Sequence, residues 1–125
     1  MTLFKAVFPI SNEDTNALPV KEIGAAIGFY ETVMGFSVVT RNPASVTLKR
    51  DDVQIGLIQK EDHEPQQAGS CYFSVSDVES LRSEMDGKGG DLGELRIDKY
   101  EGKNYRVFFL REFDNGYCFC FGQPA

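Results

Sequence analysis

The order of the predicted elements limits most strongly what this chain can fold into, because one strand, one helix and three strands occur in this order twice. In the first copy, residues 3–10 form an apolar strand, and Pro19 stands where a first helical turn accepts proline. Apolar residues then recur at helical spacing up to Met34, and three short β-type segments follow within 36–58. Closely spaced segments of this kind predict an antiparallel meander.

The second copy repeats this order from residue 70 onward. Residues 70–75 form its first strand, and Ser76 and Glu79 have the spacing of a capping box at the start of a second helix. Three strands remain, over about 92–97, 105–111 and 117–121. The last two flank Asn115-Gly116, a pair typical of a type I′ hairpin turn.

These patterns predict one α+β domain over residues 1–125, built from two βαβββ modules, 3–59 and 70–123. A chain of 125 residues is long enough for one hydrophobic core. The connector between the modules is rich in charged and polar residues, and it contains the single histidine, His63. We expect this histidine on the solvated surface, because charge-rich loops are usually solvated.

Charge and cysteine content exclude several classes of function. The formal net charge is −6, which is the wrong sign for binding nucleic acid or an anionic membrane surface. No apolar run approaches the ~20 residues of a membrane helix. Three cysteines cannot all pair within the chain, so we expect reduced thiols and a cytoplasmic location.

Three groups of residues, one after another in these modules, carry a family resemblance: Ala26-Ile27-Gly28-Phe29-Tyr30 with Met34-Gly35-Phe36, Phe73-Ser74-Val75-Ser76-Asp77-Val78, and Phe113-Asp114-Asn115-Gly116-Tyr117. In this order they resemble the vicinal oxygen chelate superfamily of glyoxalase I, bleomycin resistance proteins and extradiol dioxygenases. The resemblance covers nearly the whole chain. It implies that the sheets of the two modules are curled and mixed and surround a cleft, which a homodimer often completes.

The resemblance also implies where metal-dependent members hold their metal. Carried over by motif spacing, those positions are Lys5, Gly56, Ser70 and Cys120. None is a histidine or a carboxylate, and a catalytic transition metal needs about three or four converging N, O or S donors. We therefore expect no metal, no other cofactor and no catalytic residue taken over from the family.

The last predicted strand suggests one wall of the cleft. Cys118 and Cys120 alternate with aromatic residues, so both thiols lie on one face and the aromatics on the other. If Cys120 takes a former ligand position, the thiol face is the cleft wall, and Tyr72 points the same way. Both cysteines are either small packing residues, the commoner case, or a reactive thiol site.

The neighbouring predicted strand adds three candidates on one alternating face: Tyr105, Phe109 and Arg111. Arg111 could meet an anionic ligand, although charged strand residues more often face water.

These residues predict a metal-independent protein that binds a small organic molecule, with an aromatic-lined cleft and an acidic charge that favours cationic aromatic ligands. The bleomycin resistance branch implies sequestration and antibiotic resistance. The alternative is a metal-dependent lyase or dioxygenase of the same superfamily. A third class, an interaction domain without a ligand, stays open because fold does not decide function.

Overall fold

The computed structural model describes residues 3–10 and 14–125. Their elements follow the order β1 Phe4–Pro9, β2 Leu18–Val20, α1 Ile23–Thr32, β3 Ser37–Asn42, β4 Ser45–Arg50, β5 Val53–Gln59, a 3₁₀ turn Pro65–Gln67, β6 Cys71–Val75, α2 Val78–Asp86, β7 Asp91–Leu92, β8 Arg96–Tyr100, β9 Lys103–Glu112 and β10 Tyr117–Pro124. Within these described ranges, neither helix is long and apolar enough to cross a membrane.

The strands form two mixed sheets. The four-stranded sheet has the order β2-β5-β4-β3, and the six-stranded sheet has the order β1-β6-β10-β9-β7, with β8 also paired to β9. In each sheet one pair is parallel, β2 with β5 and β6 with β10, and the other pairs are antiparallel. The predicted α+β fold with two curled mixed sheets is confirmed.

The first predicted strand does not join the sheet of the strands that follow it. β1 pairs antiparallel with β6 in the six-stranded sheet, where Phe8 faces Tyr72. The strand beside β5 is instead β2, which contains Pro19. The prediction that Pro19 opens a helix is therefore wrong, since α1 begins at Ile23. Proline is accepted in β2 because β2 is an edge strand, where a missing N–H costs no ladder bond.

By its pairing, β2 in the four-stranded sheet corresponds to β6 in the six-stranded sheet. Leu18 faces Leu57 across a parallel pair in one sheet, as Phe73 faces Phe121 in the other. Each of these strands leads into a helix that is followed by an antiparallel meander. The internal repeat therefore holds for the order of strand, helix and meander, although β2 rather than β1 opens the first sheet and the second meander has the additional strand β7. The module boundaries 3–59 and 70–123 remain predictions.

One core joins both sheets and both helices. Its aromatic centre is a set of edge-to-face and stacked rings with centroids 5.1 to 6.2 Å apart: Phe4, Phe36, Phe73, Phe119 and Phe121. Tyr117, Phe119 and Phe121 are all buried, as the alternation along β10 predicted. The opposite face of β10 therefore carries Cys118 and Cys120.

The prediction that Ser76 caps the second helix is wrong. The N-cap of α2 is Asp77, not Ser76: its carboxylate accepts hydrogen bonds from the Ser80 amide at 3.0 Å and the Ser80 hydroxyl at 2.8 Å. These bonds lower the pKa of Asp77. An aspartate cap satisfies the free amides of the first turn as well as a serine does, and its charge favours the positive helix end.

The β9–β10 turn is a four-residue loop rather than a type I′ turn. Tyr117 pairs with Glu112, and the Gly116 amide donates to the Glu112 carbonyl at 3.0 Å. Gly116 has φ +84°, whereas Asn115 is not in the left-handed region. The Asn115 side chain is instead held by the Glu112 carboxylate and by the Lys21 amide, which fixes a different loop.

Candidate aromatic cleft

A cleft lies on the outer face of the six-stranded sheet, away from the core. Its floor is a row of four residues on neighbouring strands, because Phe8 faces Tyr72, Tyr72 faces Cys120, and Cys120 faces Phe109. With strands about 4.8 Å apart, this row spans roughly 14 Å, the length of a small aromatic molecule. The rings of Phe8 and Tyr72 lie 6.4 Å apart and tilted by 34°.

The larger part of the cleft is an open cavity of about 570 Å³, lined by Phe8, Pro9, Ile10, Tyr72, Asp98, Tyr100, Tyr105, Val107, Phe109 and Cys120. Cross-strand pairing explains this set, since Asp98 faces Tyr105 across the β8–β9 pair and both lie on the face of Phe109. Asp98 is the one charged side chain among these lining residues. The cavity is thus apolar and aromatic, with a carboxylate at one side.

Gly122 gives the Tyr72 ring its place. A Cβ built on Gly122 would lie 2.5 Å from the Tyr72 hydroxyl oxygen and 2.7 Å from a ring carbon. The Tyr72 ring therefore lies over the bare backbone of β10. Burial, together with the neighbouring Cys120 and Tyr105, raises the pKa of Tyr72 to about 12, so its hydroxyl is neutral and can donate a hydrogen bond.

A smaller cavity of about 380 Å³ adjoins the first and shares Phe109 with it. Its other lining residues are Gly93, Glu94, Leu95, Arg96, Arg111 and Cys118. The Arg96 guanidinium carbon lies 4.7 Å from the centroid of the Phe109 ring, and its Nε lies 3.0 Å from the Asp98 carboxylate. Arg111 faces Cys118 across the β9–β10 pair. The cleft thus runs from an aromatic part to a part with two guanidinium groups.

The structure brings together all six residues that the sequence indicated. Tyr72, Tyr105, Phe109 and Cys120 line the larger cavity, and Phe109, Arg111 and Cys118 line the smaller one. Their role in binding a ligand stays a prediction.

The larger cavity has six further lining residues that the sequence patterns did not indicate: Phe8, Pro9, Ile10, Asp98, Tyr100 and Val107. The apolar strand predicted over 3–10 contains Phe8, but the Phe8 side chain is 53% exposed on the cleft side of β1. Alternation along β8 could have indicated Asp98 and Tyr100 once the register of β8 with β9 was known.

The two thiols do not have the surroundings of reactive cysteines. Burial raises the pKa of Cys120 to about 12, and the nearby Asp98 carboxylate acts in the same direction. Burial also raises the pKa of Cys118, against the opposing charges of Arg111 and Arg96. Since the thiolate is the nucleophile, both side chains favour the packing role of small apolar residues.

The four positions that the family resemblance implied as metal ligands do not suit a metal ion. Lys5 is exposed on β1, and Ser70 precedes β6. A Cβ on Gly56 would lie 2.0 Å from the Asn16 carbonyl oxygen, so no side chain could stand there. Only Cys120 has a metal-binding atom of the usual kind, and the described part of the chain holds no group of three or more His, Cys, Asp or Glu suited to a metal.

His63 is not on the solvated surface, so that prediction is wrong. It is 2% exposed, its Nε2 lies 2.9 Å from the Asn115 carbonyl oxygen, and its ring stacks on Tyr117 at 6.1 Å. Burial follows because the connector crosses the end of β10, where the Tyr117 ring offers an apolar surface. His63 lines neither cavity, and its ring instead lies against Tyr117, a residue of the core.

Solved structures with the same fold include a bleomycin resistance determinant encoded on the transposon Tn5. It is 17% identical, has a TM-score of 0.78, and the match covers 92% of this chain and 99% of that one. A bleomycin-binding protein complexed with bleomycin is 18% identical, with a TM-score of 0.77 and coverage of 92% and 100%. A virulence protein from Salmonella typhimurium is 23% identical, with a TM-score of 0.71 and coverage of 94% and 100%. At these identities the likeness shows the fold.

A sequence comparison with curated proteins finds no match. A family profile, in contrast, matches residues 14–116, which is most of the chain and includes both helices and the β9–β10 turn. Together with the two curled sheets, this match shows that the chain belongs to the Glyoxalase/Bleomycin resistance protein/Dioxygenase superfamily.

Proposed function

We propose that this chain is a metal-independent binding protein that sequesters a small aromatic compound, preferably a cationic one, in the cleft of the six-stranded sheet. The observation that carries the proposal is the aromatic floor of the larger cavity. Tyr72, Tyr105 and Phe109 present ring surface there, and Phe8 and Tyr100 extend it at the rim. A cavity of about 570 Å³ is within the usual range for small-molecule sites.

Charge supports the preference for cations. The net charge of −6 attracts cations to the molecule, and the Asp98 carboxylate, which is paired with Arg96, lies beside the aromatic rings. A cation stacked on a tyrosine or phenylalanine ring gains about 0.5 to 2 kcal/mol where water is excluded. The fold of the bleomycin-binding protein, which was solved with bleomycin, supports sequestration and a role in antibiotic resistance.

The alternative, a metal-dependent lyase or dioxygenase, needs donors that Lys5, Gly56 and Ser70 do not supply. We therefore expect purified protein, freed of any affinity tag, to bind no stoichiometric Zn, Ni, Fe or Mn. Elemental analysis that finds about one such ion per chain would favour the enzyme instead. We expect the protein to act in the cytoplasm, where its thiols stay reduced.

We also propose a homodimer that completes the cleft. Three apolar residues at the cleft rim are largely exposed, Phe8 at 53%, Ile10 at 57% and Tyr100 at 67%. Exposed apolar surface of this kind around a cavity is often covered by a second chain. Light scattering should give twice the 14.0 kDa chain mass, and a monomer mass at micromolar concentration contradicts the shared cleft.

Calorimetry with 2-naphthylmethylammonium, compared with the neutral 2-naphthalenemethanol, tests the binding function. We expect the cation to bind more tightly, and its advantage to shrink as salt rises, because salt screens the charges around the open cleft. Tyr72→Ala and Phe109→Ala should weaken both compounds about tenfold by removing stacking surface. Phe113→Ala is the control, since Phe113 is exposed in the β9–β10 turn and lines neither cavity. Binding unaffected by Tyr72→Ala contradicts the proposed cleft.

A further inference from the structure

The smaller cavity has a chemistry that the proposed function does not use. Two arginines line it, on different strands: Arg111 on β9 and Arg96 on β8. Both lie close enough to the Cys118 thiol to affect it: burial raises the pKa of Cys118, and the positive charges of Arg111 and Arg96 each lower it. The two guanidinium groups therefore share one cavity, in which Glu94 is the one carboxylate among the described lining residues.

The two arginines differ in how they are held. Arg96 is fixed by its ion pair with Asp98 and by the Phe109 ring. Arg111 forms no ion pair within 4.0 Å among the described residues. Asp91, which faces Arg111 across the β7–β9 pair, and Glu94 of the cavity lining are both exposed and form no ion pair with it. Arg111 is thus the guanidinium that remains available for a ligand.

Phe109 connects the smaller, arginine-lined cavity to the aromatic cavity. It lines both cavities, and it precedes Arg111 by two residues on β9, so both side chains point to the cleft face. Two residues along a strand are about 6.8 Å, a separation that a carboxylate attached to an aromatic ring and the long arginine side chain can bridge together. A single small molecule can therefore reach both parts.

We propose that the smaller cavity is a carboxylate subsite, in which Arg111, assisted by Arg96, binds the carboxylate of a ligand whose aromatic body lies on Phe109 and Tyr72. The arginine fork matches the two oxygens of a carboxylate, which makes such pairs strong and directional. The inference rests on the proposed aromatic binding function and adds a second charge preference at the other end of the cleft. The aromatic cavity favours a cationic group and the smaller cavity favours a carboxylate, so the ligand class that satisfies both is an aromatic zwitterion.

The test compares 2-naphthoate with 2-naphthamide, which has the same ring and nearly the same shape without the charge. In calorimetry at low salt we expect the native protein to bind 2-naphthoate about tenfold more tightly than 2-naphthamide, the ratio expected for one added charge-assisted contact. Arg111→Gln should reduce that ratio to about twofold, because it weakens the binding of 2-naphthoate far more than that of 2-naphthamide. Arg96→Gln should reduce the ratio less, because Arg96 is already paired with Asp98.

Arg41→Gln is the matched control, since it removes the same charge from an exposed position on β3 of the other sheet. It should keep the tenfold preference. Equal binding of both compounds by the native protein overturns the carboxylate subsite and leaves the aromatic cleft standing. An equal loss in Arg41→Gln and Arg111→Gln also overturns it, because long-range charge would then be the cause. If neither compound binds, the aromatic binding function fails and the subsite fails with it.

Discussion

The two sheets share a parallel strand pair that antiparallel strands continue, but their outer faces differ. In the six-stranded sheet the face around Cys120 is open and lined by aromatic rings. In the four-stranded sheet the corresponding place on β5 is Gly56, where the chain itself closes the space: the Gly56 amide donates to the Thr15 carbonyl at 2.9 Å, and the Asn16 backbone lies where a side chain would stand. At corresponding places the repeated module thus has an open face in one sheet and a covered face in the other, because one copy covers its own face.

The largest expected effect comes from disturbing the closed face. Gly56→Ala places a Cβ 2.0 Å from the Asn16 carbonyl oxygen, and both partners are backbone, so the segment before β2 must move. We expect a loss of about 2 to 4 kcal/mol in the free energy of unfolding, measured by urea denaturation. Gly28→Ala in α1 is the control: it has no atom within 4 Å of the added methyl and should be neutral or slightly stabilising. Equal stability of both variants would mean that the face is not closed by this segment.

A smaller loss of stability is expected when Arg50, which links the four-stranded sheet to α2, is replaced. Arg50 at the end of β4 donates to both carboxylate oxygens of Glu84 on α2 at 2.7 and 2.9 Å, and to the Met34 carbonyl at 2.7 Å. Its guanidinium also lies 4.8 Å from the Phe4 ring centroid. Because Arg50 is mostly buried and Glu84 partly so, Arg50→Gln should cost about 1 to 3 kcal/mol in unfolding free energy.

The pH dependence separates the ion pair from the other contacts of Arg50. The bond from Arg50 lowers the pKa of Glu84 in the folded protein, so its contribution is present above the pKa of the unfolded chain and is lost as pH falls through the lower folded value. Denaturation of Arg50→Gln and the native protein from pH 7 to pH 3 should therefore show a difference that shrinks in acid. A difference that stays constant over this range would assign the effect to the Met34 and Phe4 contacts alone.

The smallest effect on stability is expected at the open face. Gly122→Ala also produces a close contact, 2.5 Å to the Tyr72 hydroxyl oxygen, but Tyr72 is a side chain beside a cavity and can turn away. We expect about 1 kcal/mol or less in unfolding free energy and a loss of several-fold in affinity for naphthyl compounds, because the displaced ring enters the cleft. Calorimetry and urea denaturation of the same sample measure both. A large loss of stability with unchanged affinity would contradict an open face.

Sequence patterns predicted the parts of the cleft that depend on one strand at a time. Alternation along β10 and β9 placed Cys118, Cys120, Phe109 and Arg111 on one face, because side chains of a strand alternate with a period of two. The pairing of β1 with β6 could not be predicted this way, since an apolar strand has the same local pattern in either sheet. Phe8 was therefore missed.

The burial of His63 shows a second limit of sequence patterns. A charged connector predicts solvation on average, but the position of one ring in it depends on what the loop crosses. Here the loop crosses Tyr117, on which the imidazole stacks. Such a contact joins residues that are far apart along the chain, and local composition carries no information about it.

The pairing of β1 sets the order in which the cleft can be built during synthesis. β1 finds its partner only after β6 has left the ribosome, because Phe4 pairs with Val75 and Phe8 with Tyr72. A partial anchor becomes available earlier: the Asp51 carboxylate accepts the amides of Leu3 and Phe4 at 3.0 and 2.9 Å, and it lies in the β4–β5 turn. We expect this turn to hold the start of β1 beside the four-stranded sheet while the second half is translated, which shortens the time that an unpaired apolar strand is exposed to aggregation.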